Sequence, residues 1–459
     1  MLKIAKVSPI FKKGDASSFN NYRPVSVLPS VSKVFEKILY NQISEYFSEH
    51  NLFFKSQYGF RKYHSTEFAT LELVDKIIQA MDINETPINI FLDLSKAFDT
   101  LDHYILQQKL EHYGMKNEAI QLISSYLSNR KQYVAYNEID SDLMNIKCGV
   151  PQGSILGPLF FIIYMNDIKY ATNLFEMIIY ADDTTLYTTI SSNNNLEQEI
   201  NNELNAINDW LKLNKLSLNI TKTKAMCFHT PQKIVKIPNL VIDNHKIDFV
   251  NDFNYLGIIL DKNLNWKSHV EALSKKISKT VGIMNRLKNF IPTSTLLTIY
   301  NSLILSHLNY GILIWGWQAK KLYKIQKRAV RTIANSKYNA HTDPLFKRFN
   351  LLKISDLCVL HDLKFCYKYK RGIVPEYFSS ITDTTSHEHL TRSHGNFRLP
   401  AVSHDFAKHS IKYRLPSLLN NMDNNFKSKI HTHSFWGFKQ YIKKTLINQY
   451  NILCQIDNC

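Results

Sequence analysis

The run Tyr180-Ala181-Asp182-Asp183 constrains this chain more than any other stretch. Two adjacent carboxylates sit between two apolar, β-prone segments, 175–179 before and 184–190 after. That layout predicts a β-hairpin over 175–190 with acid at its turn. Two anionic side chains forced together repel each other unless a cation lies between them. Hard carboxylate oxygens suit Mg²⁺, and Mg²⁺ held by one or two carboxylates usually serves a substrate phosphate. The hairpin therefore suggests metal-assisted phosphoryl transfer, against the plainer reading of a solvated turn.

A third carboxylate strengthens the chemical reading. Residues 88–94 read as a buried strand, and 95–99 open a helix in which Leu101, Ile105 and Leu110 follow helical spacing. Asp93 then stands at a strand end, where a fixed backbone aims its carboxylate; the plainer alternative is a helix N-cap. Two-metal sites need acids converging on ions about 3.5–4 Å apart. Asp93, Asp182 and Asp183 would supply them.

Further motifs then place the chain. In order they are Pro9-Ile10-Phe11-Lys12-Lys13-Gly14-Asp15, Asn21-Tyr22-Arg23-Pro24-Val25-Ser26, Gln57-Tyr58-Gly59-Phe60-Arg61 and Phe91-Leu92-Asp93-Leu94-Ser95-Lys96-Ala97-Phe98-Asp99. Gly149-Val150-Pro151-Gln152-Gly153-Ser154 precedes the acidic turn, and Asn219-Ile220-Thr221-Lys222-Thr223-Lys224 and Tyr255-Leu256-Gly257 follow it. Across about residues 7–260 the chain resembles the reverse transcriptases of non-LTR, LINE-like retrotransposons, the jockey-like group in particular. The resemblance implies an α+β, right-hand polymerase: partial fingers over 1–86 with palm elements, an RRM-like palm over 87–260, a basic helical thumb over 261–345 and a C-terminal helical extension over 346–459. It also implies an RNA-directed DNA polymerase that uses two Mg²⁺ ions, with Mn²⁺ as an alternative. The partners implied are an RNA template, a DNA primer or target and dNTPs, with nuclear action. Complete elements carry an endonuclease ahead of the polymerase; nothing here resembles one, so the expectation is a 5′-truncated member. Two alternatives stand beside this reading: a catalytically silent nucleic-acid-binding remnant, and an intron-maturase-like reverse transcriptase.

By the same resemblance, Asp93 and Asp182 would bridge both ions and Asp183 would hold the first more weakly. Phe98 would pack beneath the deoxyribose and block a 2′-OH; its plainer reading is a core Phe. Gln152 and Gly153 would meet the incoming nucleotide and template base, glycine permitting close backbone approach. Arg23, then Lys13, would grip the triphosphate, with Arg61 supporting the same region. Lys222 would assist pyrophosphate departure as a general acid, against the reading of a solvated lysine.

Composition agrees with a polyanionic partner. The formal charge is +17, and residues 262–348 hold twelve Lys and four Arg against only Glu271 and Asp343. So strong a local excess favours a surface that tracks phosphates. A hydrophobic content of 44% excludes a mainly disordered chain. Six cysteines with no Cys-x-x-Cys pair argue against a disulfide framework. Cys454 and Cys459, with His431 and His433 upstream, loosely suggest zinc, but their spacing matches no common site. The apolar run 300–317 contains Asn301, His307 and Asn309 and reads as a buried helix rather than a membrane span.

Other helices are expected over 31–47, with Val34, Phe35, Ile38, Leu39, Ile43, Tyr46 and Phe47 on one broad face, and over 100–112, 116–128 and 155–168. A further helix over 196–216 would bury Leu196, Ile200, Leu204, Ile207 and Leu211. A loose linker is expected beyond Pro375, then a short helix over 434–449.

Overall fold

The computed structural model describes residues 3–190, 196–379, 381 and 397–450. The chain falls into two compact units, the first made of 1–64, 88–225 and 236–249, the second of 65–87, 226–235 and 250–459. Helices and sheets coexist in an α+β arrangement. Cys454 and Cys459 lie outside the described residues, as do residues 380 and 382–396 of the linker expected beyond Pro375; the described remainder corrects that expectation, since it forms helices Ile411–Asn421 and Asn424–Thr432.

The first unit is built on a five-stranded sheet in the order Asp248–Phe249, Lys224–Cys227, Thr86–Leu92, Asp183–Ile190, Glu176–Tyr180. Its middle strand, Thr86–Leu92, is buried at every residue, which is why its sequence is a nearly continuous apolar run rather than an alternating one. The last two strands form the expected antiparallel hairpin, with Tyr180 opposite Asp183 across a two-residue turn. A second sheet pairs Ile4–Phe11 antiparallel with Tyr22–Val27 and parallel with Lys131–Tyr136.

Helices complete this unit's core. Helix Leu196–Leu213 buries Leu196, Ile200, Leu204, Ile207 and Leu211, the spacing expected of one apolar stripe. Helix Leu156–Tyr164 is buried on nearly all sides, as its uniformly apolar sequence requires. Helix Ser30–Glu49 corrects one expectation. Leu39, Ile43 and Phe47 are buried, whereas Val34, Phe35 and Ile38 are 63%, 45% and 53% exposed, so only half of the broad apolar face is covered. Asp102 is the N-cap of helix His103–His112, accepting from the Tyr104 and Ile105 amides, each at 3.0 Å, and pairing with Lys215 at 2.6 Å.

In the second unit, helix Lys267–Leu287 turns Val270, Leu273, Ile277, Val281 and Met284 inward and packs along helix Lys320–Ile333. The apolar run 300–317 is not one helix. It passes from Thr293–Tyr300 through a π-helical turn, Asn301–Leu305, and breaks at Gly311, where φ is 62°. Among the described residues no helix is long and apolar enough to cross a membrane.

Helix Thr66–Asp82 of this unit holds the distant chain by its acids. Asp75 is fully buried and accepts from the Tyr377 hydroxyl at 2.6 Å, the Ser410 hydroxyl at 2.6 Å and the Ile411 amide at 2.7 Å. Burial pushes its carboxyl above the ordinary range, and these bonds oppose the shift. Two turns on, Asp82 accepts from the backbone amides of Ser403 and His404 at 3.0 and 2.8 Å.

Candidate active site

The acidic turn is strained and buttressed. Ala181 has φ 58°, a left-handed conformation that costs a non-glycine residue about 1–2 kcal/mol. Its amide donates to Gln57 Oε1 at 3.1 Å, and the same oxygen accepts from the Gly59 amide at 2.8 Å. The Tyr58 amide bonds the Ile179 carbonyl at 2.7 Å, and the Ile179 amide bonds the Ser56 carbonyl at 2.9 Å. Gly59 presses so close that an added Cβ would lie 2.4 Å from the Ala181 nitrogen. The segment Gln57-Tyr58-Gly59 thus clamps the turn that carries Asp182.

The Asp93 end of its strand is clamped too. The Asn219 amide donates to the Asp93 carbonyl at 2.7 Å, and the Asp93 amide reaches Thr223 Oγ1 at 3.5 Å. Asp93 does not cap the next helix, Ala97–Thr100, whose N-cap is Lys96. Its carboxylate instead faces the Lys222 ammonium at 3.5 Å.

These pieces border a cavity of about 1370 Å³, lined among others by Asp93, Asp182, Phe98, Gln152, Lys12, Arg23 and Lys222. The Phe98 ring packs on Phe161 at 4.6 Å between centroids and on Phe60 at 6.4 Å. Burial raises the Asp182 carboxyl, as does Asp93, while Arg23 and Lys12 pull it back down. Asp183 is pushed up to about 6, first by loss of hydration and then by repulsion from Asp182 and Asp93. It nonetheless keeps an exposed surface.

Three mutually repelling carboxylates with hard oxygen donors fit a divalent cation, whose charge would relieve that repulsion. Asp93, Asp182 and Asp183 are the residues that could hold it. As they stand they are not gathered into a closed ligand set: among the described residues no group of three or more His, Cys, Asp and Glu is close enough to hold a metal ion.

Several expected site residues stand elsewhere. Lys13 does not line the cavity and Lys12 does. Arg61 also misses the cavity. Its guanidinium donates to the carbonyls of Phe54 at 2.8 Å and Gln57 at 3.2 Å and lies over the Phe53 ring, so it braces the loop from which Gln57 reaches the hairpin. Gly153 does not line the cavity, and a second demand falls on it. At φ 132°, its missing Cβ would sit 2.4 Å from the Ser26 carbonyl oxygen, so the close approach is to strand Tyr22–Val27. The Ser26 amide completes that junction by bonding the Gln152 carbonyl at 2.7 Å.

Residues 10–260 match the family model described as reverse transcriptase (RNA-dependent DNA polymerase). The chain belongs to this family. Among proteins similar to this reverse transcriptase chain, the probable RNA-directed DNA polymerase from transposon X-element of Drosophila melanogaster is 27% identical over 80% of this chain and 42% of its own length. The RNA-directed DNA polymerase from mobile element jockey of the same species is 26% identical over 77% of this chain and 40% of its own. The chain spans about two fifths of the length of these curated relatives. A solved telomerase structure from Candida Tropicalis is 14% identical, with a TM-score of 0.41, covering 83% of this chain and 65% of that one. Reverse transcriptases use divalent metal ions, in keeping with the acids found here.

Gln57 belongs to a sequence motif whose pattern gives that residue no task. Its oxygen bonds an amide 124 positions away, a distance no local pattern spans. Gln57→Leu is expected to leave the Ala181 and Gly59 amides without that acceptor and to destabilise the fold by about 1–3 kcal/mol. A turn displaced by about 1 Å would lower nucleotide addition as much as 10²-fold. Urea melts and primer-extension rates measured together check this; wild-type rates would dismiss the clamp.

Proposed function

We propose that this chain carries out RNA-directed DNA synthesis, adding deoxynucleotides to a primer 3′-OH on an RNA template, with Mg²⁺ held by Asp93, Asp182 and Asp183. The observation that carries the reading is one cavity bordered by Asp93 and Asp182 together with Lys12 and Arg23. A nucleoside triphosphate needs that combination: cations to hold its phosphates and anions placed for a hard metal. When bound, Mg²⁺ supplies a lowered pKa for the attacking hydroxyl and neutralises the departing oxygens. The protein's own side chains do the rest. Arg23 and Lys12 orient the triphosphate, Arg23 with a planar fork suited to phosphate oxygens. Lys222, exposed at the cavity edge, can donate a proton toward pyrophosphate. Gln152 and Phe98 border the space for sugar and base. Family membership and the relatives' printed activity support this reading over that of a silent remnant. Primer extension on an RNA template, with and without Mg²⁺, tests it; no extension by folded protein in Mg²⁺ would refute it.

Residues 261–345 act in this reading as the thumb, gripping duplex phosphates. Lys275, Lys276, Lys324 and Arg328 are exposed on helices Lys267–Leu287 and Lys320–Ile333, with Lys327 beside them. Arg331 is set apart, since its Nε donates to the Ala340 carbonyl at 2.8 Å. Neutralising the first five should weaken binding to all sequences alike. The log–log salt slope should flatten by about 0.7–0.9 for each phosphate that is no longer neutralised. Titrations at several salt concentrations measure it, and an unchanged slope would mean these charges only face water.

A further inference from the structure

We infer that Asp99 is a positioning residue that fixes which end of the Gln152 side-chain amide faces the nucleotide cavity. The inference rests on the polymerase reading above. Both residues line the cavity, and Gln152 Nε2 donates to Asp99 Oδ1 at 2.9 Å. A glutamine amide is nearly symmetric in shape but opposite in chemistry at its two ends: NH₂ only donates and the carbonyl only accepts. An ionised carboxylate accepts and never donates. Asp99 can therefore engage only the NH₂ end, and the amide cannot turn over without placing two acceptors face to face. Gln152 Oε1 has no hydrogen bond among the described residues and is left as a fixed acceptor at the cavity.

That polarity has a chemical consequence. Phosphate oxygens are acceptors, so a fixed carbonyl disfavours them and selects a donor, a hydroxyl or N–H of the nucleotide's sugar or base. The cations Lys12 and Arg23, on another strand and its turn, are left to take the phosphates. The carboxylate of Asp99 is not needed to hold its loop in place. The Gly149 amide bonds the Leu101 carbonyl at 2.7 Å, the Val150 amide bonds the Phe98 carbonyl at 2.9 Å, and Cys148 Sγ meets the Asp99 carbonyl at 3.5 Å. The backbone thus sets where residue 152 is, and the side chain of Asp99 sets how its amide is turned.

Asp99→Asn tests this, because an asparagine presents both a donor and an acceptor and lets the Gln152 amide sit either way. The measurement is dNTP affinity, by equilibrium titration of the protein on an RNA template with a 3′-deoxy primer, which needs no turnover. Extension with an ordinary primer is run in parallel. Asp99→Asn should weaken dNTP binding about tenfold, in line with a lost charge-assisted hydrogen bond, with kcat changed far less. Asp99→Glu, which keeps an acceptor-only group, should recover part of the loss. In a Gln152→Ala background Asp99→Asn should change nothing further, since its effect runs through that amide. Wild-type affinity in Asp99→Asn, or an equal loss in both backgrounds, overturns the inference; Asp99→Ser serves as the second variant should Asp99→Asn not fold. Normal coupling in binding without any extension would instead count against the polymerase reading, and absence of dNTP binding to the wild type would end both.

Discussion

Asp182→Asn is expected to lose nucleotide addition by about 10³-fold or more while becoming more stable without metal. The two effects share one cause. Burial raises both carboxyls, helped at Asp182 by Asp93 and at Asp183 by Asp182 and Asp93, which bring Asp183 to about 6 against an ordinary 3.8. A raised carboxyl favours the protonated form in the fold. The stability it contributes is present below the ordinary value and is lost as pH rises through about 6. At neutral pH the metal-free protein thus holds three repelling charges. An asparagine of the same shape removes one of them, so the melting temperature in chelator should rise at pH 7 and change little near pH 4. The same change deletes a ligand whose charge is needed in the transition state, and loss of one such group costs about 10²–10³ or more. Primer extension and melting curves at both pH values check the pair. Wild-type polymerisation would remove Asp182 from the site, and unchanged melting would mean that the repulsion is solvated away.

Phe98→Val is expected to admit ribonucleotides, lowering the dNTP-over-rNTP ratio of kcat/KM by about 10–200-fold. Phe98 borders the cavity and is packed from behind by Phe161 at 4.6 Å and edge-on by Phe60. A ring backed in this way cannot retreat from an added 2′-OH, since close-packed surroundings leave no spare volume. Valine is shorter and opens that space. If Phe98 served only as core, the cost would be stability, shared equally by both nucleotide classes. The ratio separates the two outcomes because a general loss of fold cancels in it. An active variant with the wild-type ratio would take Phe98 out of sugar selection.

The parts legible in the sequence were those written in local pattern. The acidic hairpin announced itself through two flanking apolar runs, and the stripe from Leu196 to Leu211 through its spacing. What stayed hidden depended on neighbours far along the chain. Gly153 is glycine because of Ser26, and Gln57 matters because of Ala181; in each case the partner lies over 120 positions away. Lys12 rather than Lys13 lines the cavity, and nothing in a run of two lysines tells them apart. The exposed Val34, Phe35 and Ile38 had the same periodicity as their buried neighbours, and periodicity alone does not say how much of a face is covered.

The bonds from Asp75 and Asp82 to residues 403–411 set a timetable for the newborn chain. At synthesis rates of about 5–20 residues per second, helix Thr66–Asp82 leaves the ribosome tens of seconds before its partners exist. Throughout that wait the carboxylate of Asp75, later wholly enclosed, must stay hydrated, so the second unit can close only near the end of translation. A message cut short before codon 400 would yield a chain whose first unit is fully encoded and whose second lacks the Ser410 and Ile411 donors to Asp75 and the Ser403 and His404 donors to Asp82.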